Sequence, residues 1–140
     1  MNLIKVILTG ICALLFSGLT AQENPLWLRY PSISPDGKTI AFCYKGDIFL
    51  VSSEGGKATQ LTTHSAYDSH PVWSPDGKTI AFASTRDGGR DLFTLPVTGG
   101  TPKRLTTFSG AAIPECYTPN GEHILYRSSV MPDQAYGHYP

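Results

Sequence analysis

One nine-residue stretch of this chain decides the fold: Ser34-Pro35-Asp36-Gly37-Lys38-Thr39-Ile40-Ala41-Phe42. It returns letter for letter at residues 74–82, and a degenerate third copy spans residues 118–126. The prolines of the three copies, Pro35, Pro75 and Pro119, are 40 and 44 residues apart. A period of roughly forty residues, in units made of strands and turns, is typical of the four-stranded blades of a β-propeller. The repeat therefore predicts an all-β fold composed of such blades.

Each copy is predicted to form a tight hairpin turn between two strands. The proline presets φ, the aspartate accepts hydrogen bonds from the backbone that follows it, and the glycine is free to take a positive φ. Further β-rich runs follow in the same order in the first two units, at residues 39–44, 47–51 and 58–62 and at residues 79–84, 91–97 and 102–106. The second unit is four residues longer, and the extra residues fall in the loop at residues 85–90. Length variation confined to a loop is expected when packing fixes the strands.

The repeat divides residues 22–140 into an incomplete propeller. We expect blade 1 at about residues 26–62, blade 2 at about 71–106 and a partial blade 3 at about 112–140. The third unit lacks an Asp-Ile-Phe-like strand near residue 135, so we expect an inserted loop there and the third strand beyond residue 140.

The first 21 residues differ in kind from the rest of the chain. Lys5 precedes an apolar run at residues 6–16, and small residues precede Gln22. This pattern predicts a secretory signal peptide that is cleaved after Ala21. A retained membrane anchor is the rival interpretation, but the apolar run is short of the about twenty residues that span a bilayer. Lipidation at Cys12 is disfavoured because Ile11 precedes it where a small residue is needed.

Composition agrees with an exported all-β domain. The chain has 14 glycines and 11 prolines among 140 residues, and its formal net charge is zero. No sustained apolar period of the helical kind follows residue 21. Because the basic residues are scattered and balanced by acids, nucleic acid and an anionic membrane surface are not expected as partners.

Two cysteines, Cys43 and Cys116, remain after removal of the predicted signal peptide. The repeat places Cys43 in the second strand of unit one and Cys116 in the first strand of unit three, at the position that Val72 occupies in unit two. Strands of blades two apart are separated by more than the roughly 7 Å that a disulfide tolerates between Cα atoms. We therefore expect both cysteines to be reduced, small apolar packing residues.

The sequence contains no catalytic, cofactor-binding or metal-binding motif. Nucleophile-elbow, zinc-protease, paired-cysteine and phosphate-loop patterns are all missing. His64, Asp68 and His70 resemble a metal or acid–base cluster, but they fall in the predicted connection between blades at residues 62–71, where loop polarity explains them. We therefore predict no catalytic residue, no cofactor and no metal site in this chain.

Asp47 and Asp91 recur at the start of the third strand of their units. A catalytic group is needed once, whereas a structural device is needed once per unit. The recurrence therefore predicts that both carboxylates accept hydrogen bonds from turn amides within their own blade.

The motifs together resemble a known family of propellers. The run at residues 71–82, followed by Asp91-Leu92-Phe93, Gly99-Gly100 and Leu105-Thr106, is similar to the WD-like repeat shared by TolB, dipeptidyl-peptidase-type propellers and tricorn-type proteases. The opening at residues 24–31 more narrowly resembles the amino-terminal end of exported tricorn-type serine peptidases. In that family a six-bladed propeller precedes a seven-bladed one, a PDZ-like domain and a serine-peptidase core.

The resemblance implies a function without catalytic residues in this segment. The family's nucleophilic serine and its histidine lie in the carboxy-terminal half, so none maps onto this sequence. The expected role is that of an access propeller, in the periplasm or outside the cell, which guides or filters peptide substrates and contacts the remaining domains of its parent chain. The alternative is a non-enzymatic, TolB-like propeller that binds protein partners. A homo-oligomer is compatible with either, and blade number and substrate specificity stay open.

Overall fold

A computed structural model describes residues 27–107 and 110–129, and every regular element in this part of the chain is a β-strand. The predicted signal peptide and the end of the third unit lie outside the described residues. Within the described ranges, no helix is long and apolar enough to cross a membrane.

Ten strands form three antiparallel sheets, one for each repeat unit. Blade 1 has the order β1-β2-β3-β4, with β1 at Arg29–Ile33, β2 at Thr39–Tyr44, β3 at Asp47–Ser52 and β4 at Thr59–Gln60. Blade 2 has the order β5-β6-β7-β8, with β5 at Asp68–Trp73, β6 at Thr79–Ser84, β7 at Asp91–Pro96 and β8 at Lys103–Arg104. Partial blade 3 pairs β9 at Ala112–Tyr117 with β10 at Ile124–Ser128. The all-β, four-stranded blade prediction is confirmed.

The hairpin turn has the predicted geometry in both exact copies. In blade 2 the Ser74 hydroxyl donates to the Asp76 carboxylate at 2.6 Å, and that carboxylate accepts the Lys78 amide at 3.0 Å. These hydrogen bonds, that of Ser74 first, hold the pKa of Asp76 below its ordinary value. Gly77 has a φ of 69°, as the turn prediction requires.

The second strands of blades 1 and 2 have large side chains on one face and small side chains on the other, because residues alternate along a strand. Register places Ile80 opposite Leu95 and Phe82 opposite Phe93 on the large face of blade 2. This face packs on the small face of blade 1, which presents Ala41 and Cys43 of β2 and Ile48 of β3, and the two faces form the core. On its other side, blade 2 packs its alanines toward β9. The core therefore lies between blades rather than inside any one of them.

Candidate functional site

The first strand of each unit is the one that faces the axis in a propeller, and here β1, β5 and β9 pack side by side. We call these three strands the inner wall. A shallow recess of about 240 Å³ crosses the inner wall and the ends of two hairpins, with Ser32, Val72, Glu115 and Cys116 among its lining residues. The recess mixes apolar, polar and charged groups.

The inner wall carries a bulge at the same place in blades 1 and 2. Two residues of the first strand stand opposite a single residue of the second strand: Tyr30 and Pro31 opposite Phe42 in blade 1, and His70 and Pro71 opposite Phe82 in blade 2. Tyr30 has a φ of 54° and His70 a φ of 53°, which is the left-handed region. Such a conformation costs a non-glycine residue on the order of 1–3 kcal/mol and is concentrated at functional sites.

The two bulged residues touch each other across the blade boundary. The rings of Tyr30 and His70 stack with centroids 3.7 Å apart and planes inclined by 27°. His70 Nδ1 lies 3.1 Å from the Ser69 hydroxyl. Burial, followed by the charges of Arg90 and Arg127, lowers the pKa of His70 below its ordinary value of 6.5. The ring is therefore neutral near pH 7, and the pair is an aromatic, uncharged feature of the wall.

The loop interpretation of Asp68 and His70 is wrong, because both residues lie in β5. Asp68 is fully buried, and its carboxylate accepts from Arg86 Nη2 at 3.0 and 2.8 Å. The Arg86 guanidinium lies 4.8 Å from the ring centroid of Phe93. Sequence reasoning missed this ion pair, although one signal was present: both partners occur only in unit two, and Arg86 belongs to its extra loop residues.

His64 stays in the connecting loop and is exposed, where its Nδ1 accepts the Ala66 amide at 3.1 Å. The structure thus places His64 in a loop, whereas Asp68 and His70 lie in a strand. Among residues 27–107 and 110–129, no three His, Cys, Asp or Glu side chains are grouped so that they could hold a metal ion.

Asp47 and Asp91 act as structural acceptors, as predicted, but the predicted donors are wrong. Asp91 accepts from the Thr106 hydroxyl at 2.9 Å and from Arg104 Nη2 at 2.6 Å, and Asp47 accepts from the Thr62 hydroxyl at 3.2 Å. The donors are therefore side chains at the outer end of the blade rather than turn amides. Each threonine hydroxyl also accepts a backbone amide from the third strand, so the pair ties the outermost strand to its sheet.

The two cysteines are free, as expected, and only one is a packing residue. Cys43 is buried, its thiol donates to the Asp68 carbonyl at 3.0 Å, and burial raises its pKa. Cys116 is exposed, which corrects the prediction of a packed side chain. The physical reason is that Cys116 lies on the face of blade 3 that is turned away from blade 2.

A second recess, lined mainly by apolar side chains, lies on blade 1 and borders β1. It has a volume of about 470 Å³ and is lined by one set of mainly apolar side chains: Leu28, Pro31, Ile40, Phe42, Phe49 and Val51. We call it the outer groove. It is the large face of blade 1, equivalent to the face that blade 2 buries against its neighbour.

Comparison with known proteins gives a consistent result. The family model described as the tricorn protease N-terminal β-propeller domain matches residues 25–137. A curated relative, tricorn protease homolog 1 of Streptomyces coelicolor, is 39% identical over 80 residues, which cover 57% of this chain and 7% of the relative. The chain thus spans a small fraction of that relative.

Solved structures agree on the fold. A putative TolB from Agrobacterium tumefaciens superposes with a TM-score of 0.69 and 28% identity, covering 75% of this chain and 39% of that one. The tricorn protease superposes with a TM-score of 0.60 and 24% identity, covering 69% of this chain and 10% of that one. The second match bears on the fold alone.

Proposed function

This chain belongs to the family of tricorn protease N-terminal β-propeller domains, and from that premise we propose that it is the leading propeller segment of an exported serine peptidase, where it guides or filters peptide substrates. The observation that carries the proposal is the family match over residues 25–137, which leaves only a few of the residues after the predicted signal peptide unmatched. The parent protein would then supply the catalytic groups from another domain.

The hydrogen bonds of three aspartate carboxylates in the described residues support a role in which this segment contributes no catalytic group. The carboxylates of Asp47, Asp68 and Asp91 are all engaged within or between blades by hydroxyl, amide or guanidinium donors. A general base must be free to reach a substrate proton. These acids are occupied in holding the blades together.

The inner wall supports contact with extended peptides. Its bulges present the Tyr30–His70 pair, and its recess combines Ser32 and Val72 with Glu115. A surface that mixes aromatic, polar and apolar groups without one buried anchor suits weak contact with many sequences, because anchors in desolvated pockets carry most of the energy of tight binding.

The decisive experiment compares long and short substrates of the complete parent protein. We expect Tyr30→Ser together with His70→Ser to lower kcat/KM for a long unfolded polypeptide while leaving hydrolysis of a short chromogenic peptide unchanged. His64→Ser, in the exposed loop, is the matched control and should change neither. Equal changes for both substrates would contradict a guiding role.

A non-enzymatic, TolB-like propeller is the second candidate, favoured by the higher TM-score of the TolB structure. The complete reading frame separates the two. Several hundred further residues with a PDZ-like segment and a Ser- and His-bearing α/β domain mean a peptidase, whereas a stop after about six blades means a binding module.

Export is part of the proposal and rests on the sequence of residues 1–21. Protein recovered from the periplasm of a Gram-negative host should have an intact mass that lacks those residues. A mass that retains Met1, found in a membrane fraction, would overturn cleavage.

A further inference from the structure

The hairpin turns of neighbouring blades lie against one another, and a pocket opens at each boundary. A Cβ added to Gly77 would meet Pro35 Cδ of the preceding hairpin at 3.8 Å, and one added to Gly121 would meet Pro75 Cδ at 3.6 Å. The pocket between the hairpins of blades 1 and 2 has a volume of about 510 Å³, and the pocket between those of blades 2 and 3 has a volume of about 600 Å³. We call them the first and the second hairpin pocket. Because the same repeat positions line both, they can be compared directly.

The first hairpin pocket has an apolar floor. Leu50, Trp73 and Val97 line it, are half-buried and pack against the core. The Trp73 indole Nε1 donates to the Ser32 carbonyl of blade 1 at 3.0 Å, which fixes the orientation of the ring. The floor is therefore an ordered aromatic and aliphatic surface.

Two exposed carboxylates, those of Asp36 and Asp76, stand at the rim of this pocket. In each, Oδ1 accepts the hydroxyl of the serine two positions earlier and the amide of the lysine two positions later. These bonds, that of the serine first, hold the pKa of both aspartates below its ordinary value, so both are ionised at neutral pH. Within residues 27–107 and 110–129, neither aspartate forms an ion pair. The rim therefore carries two negative charges without an ion-pair partner in this part of the chain.

The hairpin turn itself does not need these charges. Asn120 stands at the same position in the third copy, where its Oδ1 accepts the Thr118 hydroxyl at 2.6 Å and the Glu122 amide at 3.3 Å. A neutral side chain thus makes the same turn hydrogen bonds. In consequence, the second hairpin pocket is lined by one carboxylate, that of Asp76, where the first is lined by two.

We propose that the first hairpin pocket binds the side chain of an arginine in an extended peptide. The guanidinium stacks on the Trp73 indole and donates to the carboxylates of Asp36 and Asp76. Its methylene stem lies against Leu50 and Val97. Charge complementarity selects this occupant, because arginine combines a planar cation, which stacks on aromatic rings and pairs with carboxylates, with an apolar stem. The inference rests on the proposed function and deepens it, since the peptide is one that the propeller would guide.

Photocrosslinking to the protein made from its complete reading frame tests the proposal. The protein is first treated with a fluorophosphonate, so that a serine peptidase would not cleave the probe. The probe is a short peptide of glycine and serine with one central arginine beside a diazirine-bearing residue. The control peptide carries citrulline, which has nearly the same shape and no charge, in place of the arginine.

We expect the arginine peptide to crosslink to the segments around Leu50, Trp73 and Val97. The citrulline peptide should give about tenfold less of these crosslinks, because it lacks the charge that both the indole and the carboxylates attract. Equal yields from the two peptides, or no crosslink to these segments, would overturn the proposal. So would an equal yield from the arginine peptide around Tyr117 in the second hairpin pocket, which has one carboxylate fewer.

A pair of matched variants tests the contribution of the rim. Asp36→Asn removes one carboxylate and keeps the turn, as Asn120 does in the third copy, and it should lower the yield of the arginine peptide about threefold. Asp87→Asn removes an equally exposed charge from the loop at the opposite end of β6 and should leave the yield unchanged. Equal losses in the two variants would contradict a site at the hairpins. The comparison of the two peptides uses the unaltered protein, so it decides the question even if Asp36→Asn does not fold.

This experiment fails separately from the test of the guiding role. Crosslinking measures binding in an inactivated protein, whereas the guiding role is tested by hydrolysis of long and short substrates after the changes at Tyr30 and His70. Arginine-dependent crosslinks together with equal changes for both substrates would refute guiding and keep the pocket. The reverse pair of results would refute the pocket alone.

Discussion

Blades 1 and 2 have nearly the same strands, yet they end in different environments. Phe42 stacks on Phe49 with ring centroids 5.8 Å apart, and Phe82 stacks on Phe93 at 6.0 Å. The blade 2 pair, at 0% and 3% exposed, is buried by blade 1, whereas in the blade 1 pair Phe42 is 9% exposed and Phe49 stays half-buried along the open groove. Since fully burying a Phe side chain contributes about 1.5–3 kcal/mol, Phe93 stabilises blade 2 more than Phe49 stabilises blade 1. The neighbouring blade therefore completes the burial of a large face that its own sheet buries only in part.

The largest expected effect is association of the chain by itself. The outer groove and the edge of blade 3 leave apolar surface that a complete ring would cover, and such surfaces favour aggregation. Size-exclusion chromatography of residues 22–140 should show heterogeneous aggregates or a partly folded species, and peptidase assays should be blank.

Matched variants sharpen this prediction. Phe49→Gln, in the open groove, should reduce association, whereas Phe93→Gln, at the equivalent buried position, should unfold blade 2. A sharp monomer peak with a cooperative melt for the unaltered chain would show that three units suffice, and hydrolysis by the chain itself would end the proposed division of labour.

The second-largest expected effect is a difference in stability loss between breaking the buried ion pair of blade 2 and breaking the exposed ion pair of blade 3. Asp68 is 0% exposed beneath Arg86, so Arg86→Ala leaves a buried charge without its partner and should cost about 3–5 kcal/mol. Arg127 and Glu115 are 66% and 47% exposed, and Arg127→Ala should cost about 0–1 kcal/mol. Pulse proteolysis of the complete parent protein in urea measures both. Similar losses would mean that blade 2 is no better buried than blade 3.

A smaller effect concerns the hairpin that the exact copies share. Gly77 has a φ of 69°, so Gly77→Val should destabilise the complete parent by on the order of 1–3 kcal/mol through backbone strain. Lys78→Val, at an exposed neighbour, should change little. Equal unfolding midpoints for the two variants, read by pulse proteolysis in urea, would refute the turn assignment.

The smallest effect is a dependence of stability on pH at the blade 1–blade 2 boundary. Burial depresses the pKa of His70 in the folded state below 6.5, so the unfolded state binds the proton more readily. Stability should therefore be full above pH 6.5 and fall as the pH decreases below it. His70→Phe should flatten this part of the profile, whereas His64→Phe should not. An unchanged profile in His70→Phe would show that the ring is not buried against Tyr30.

The aspartates show how far sequence reasoning reached. Recurrence at a fixed strand position was enough to assign Asp47 and Asp91 a structural role. The donors Thr62, Thr106 and Arg104 could not be assigned, because they depend on which side chains the fourth strand brings to the third. The start of β5 was predicted too late: residues 62–71 were expected to form a connection, but β5 begins at Asp68 and a bulge accommodates Pro71 within it.

The sequence by itself determined the hairpins, the second and third strands of blades 1 and 2 and the blade period, because turn chemistry and strand alternation are local properties that act over a few residues. Only the tertiary structure decided which face is buried, that Asp68 pairs with Arg86, and that Tyr30 and His70 stack at bulges. These features depend on how one blade lies against the next. Burial and ion pairing depend on the contact between one unit and the next. Because the repeat makes the units almost identical, their sequences do not show which unit's large face is covered by a neighbour.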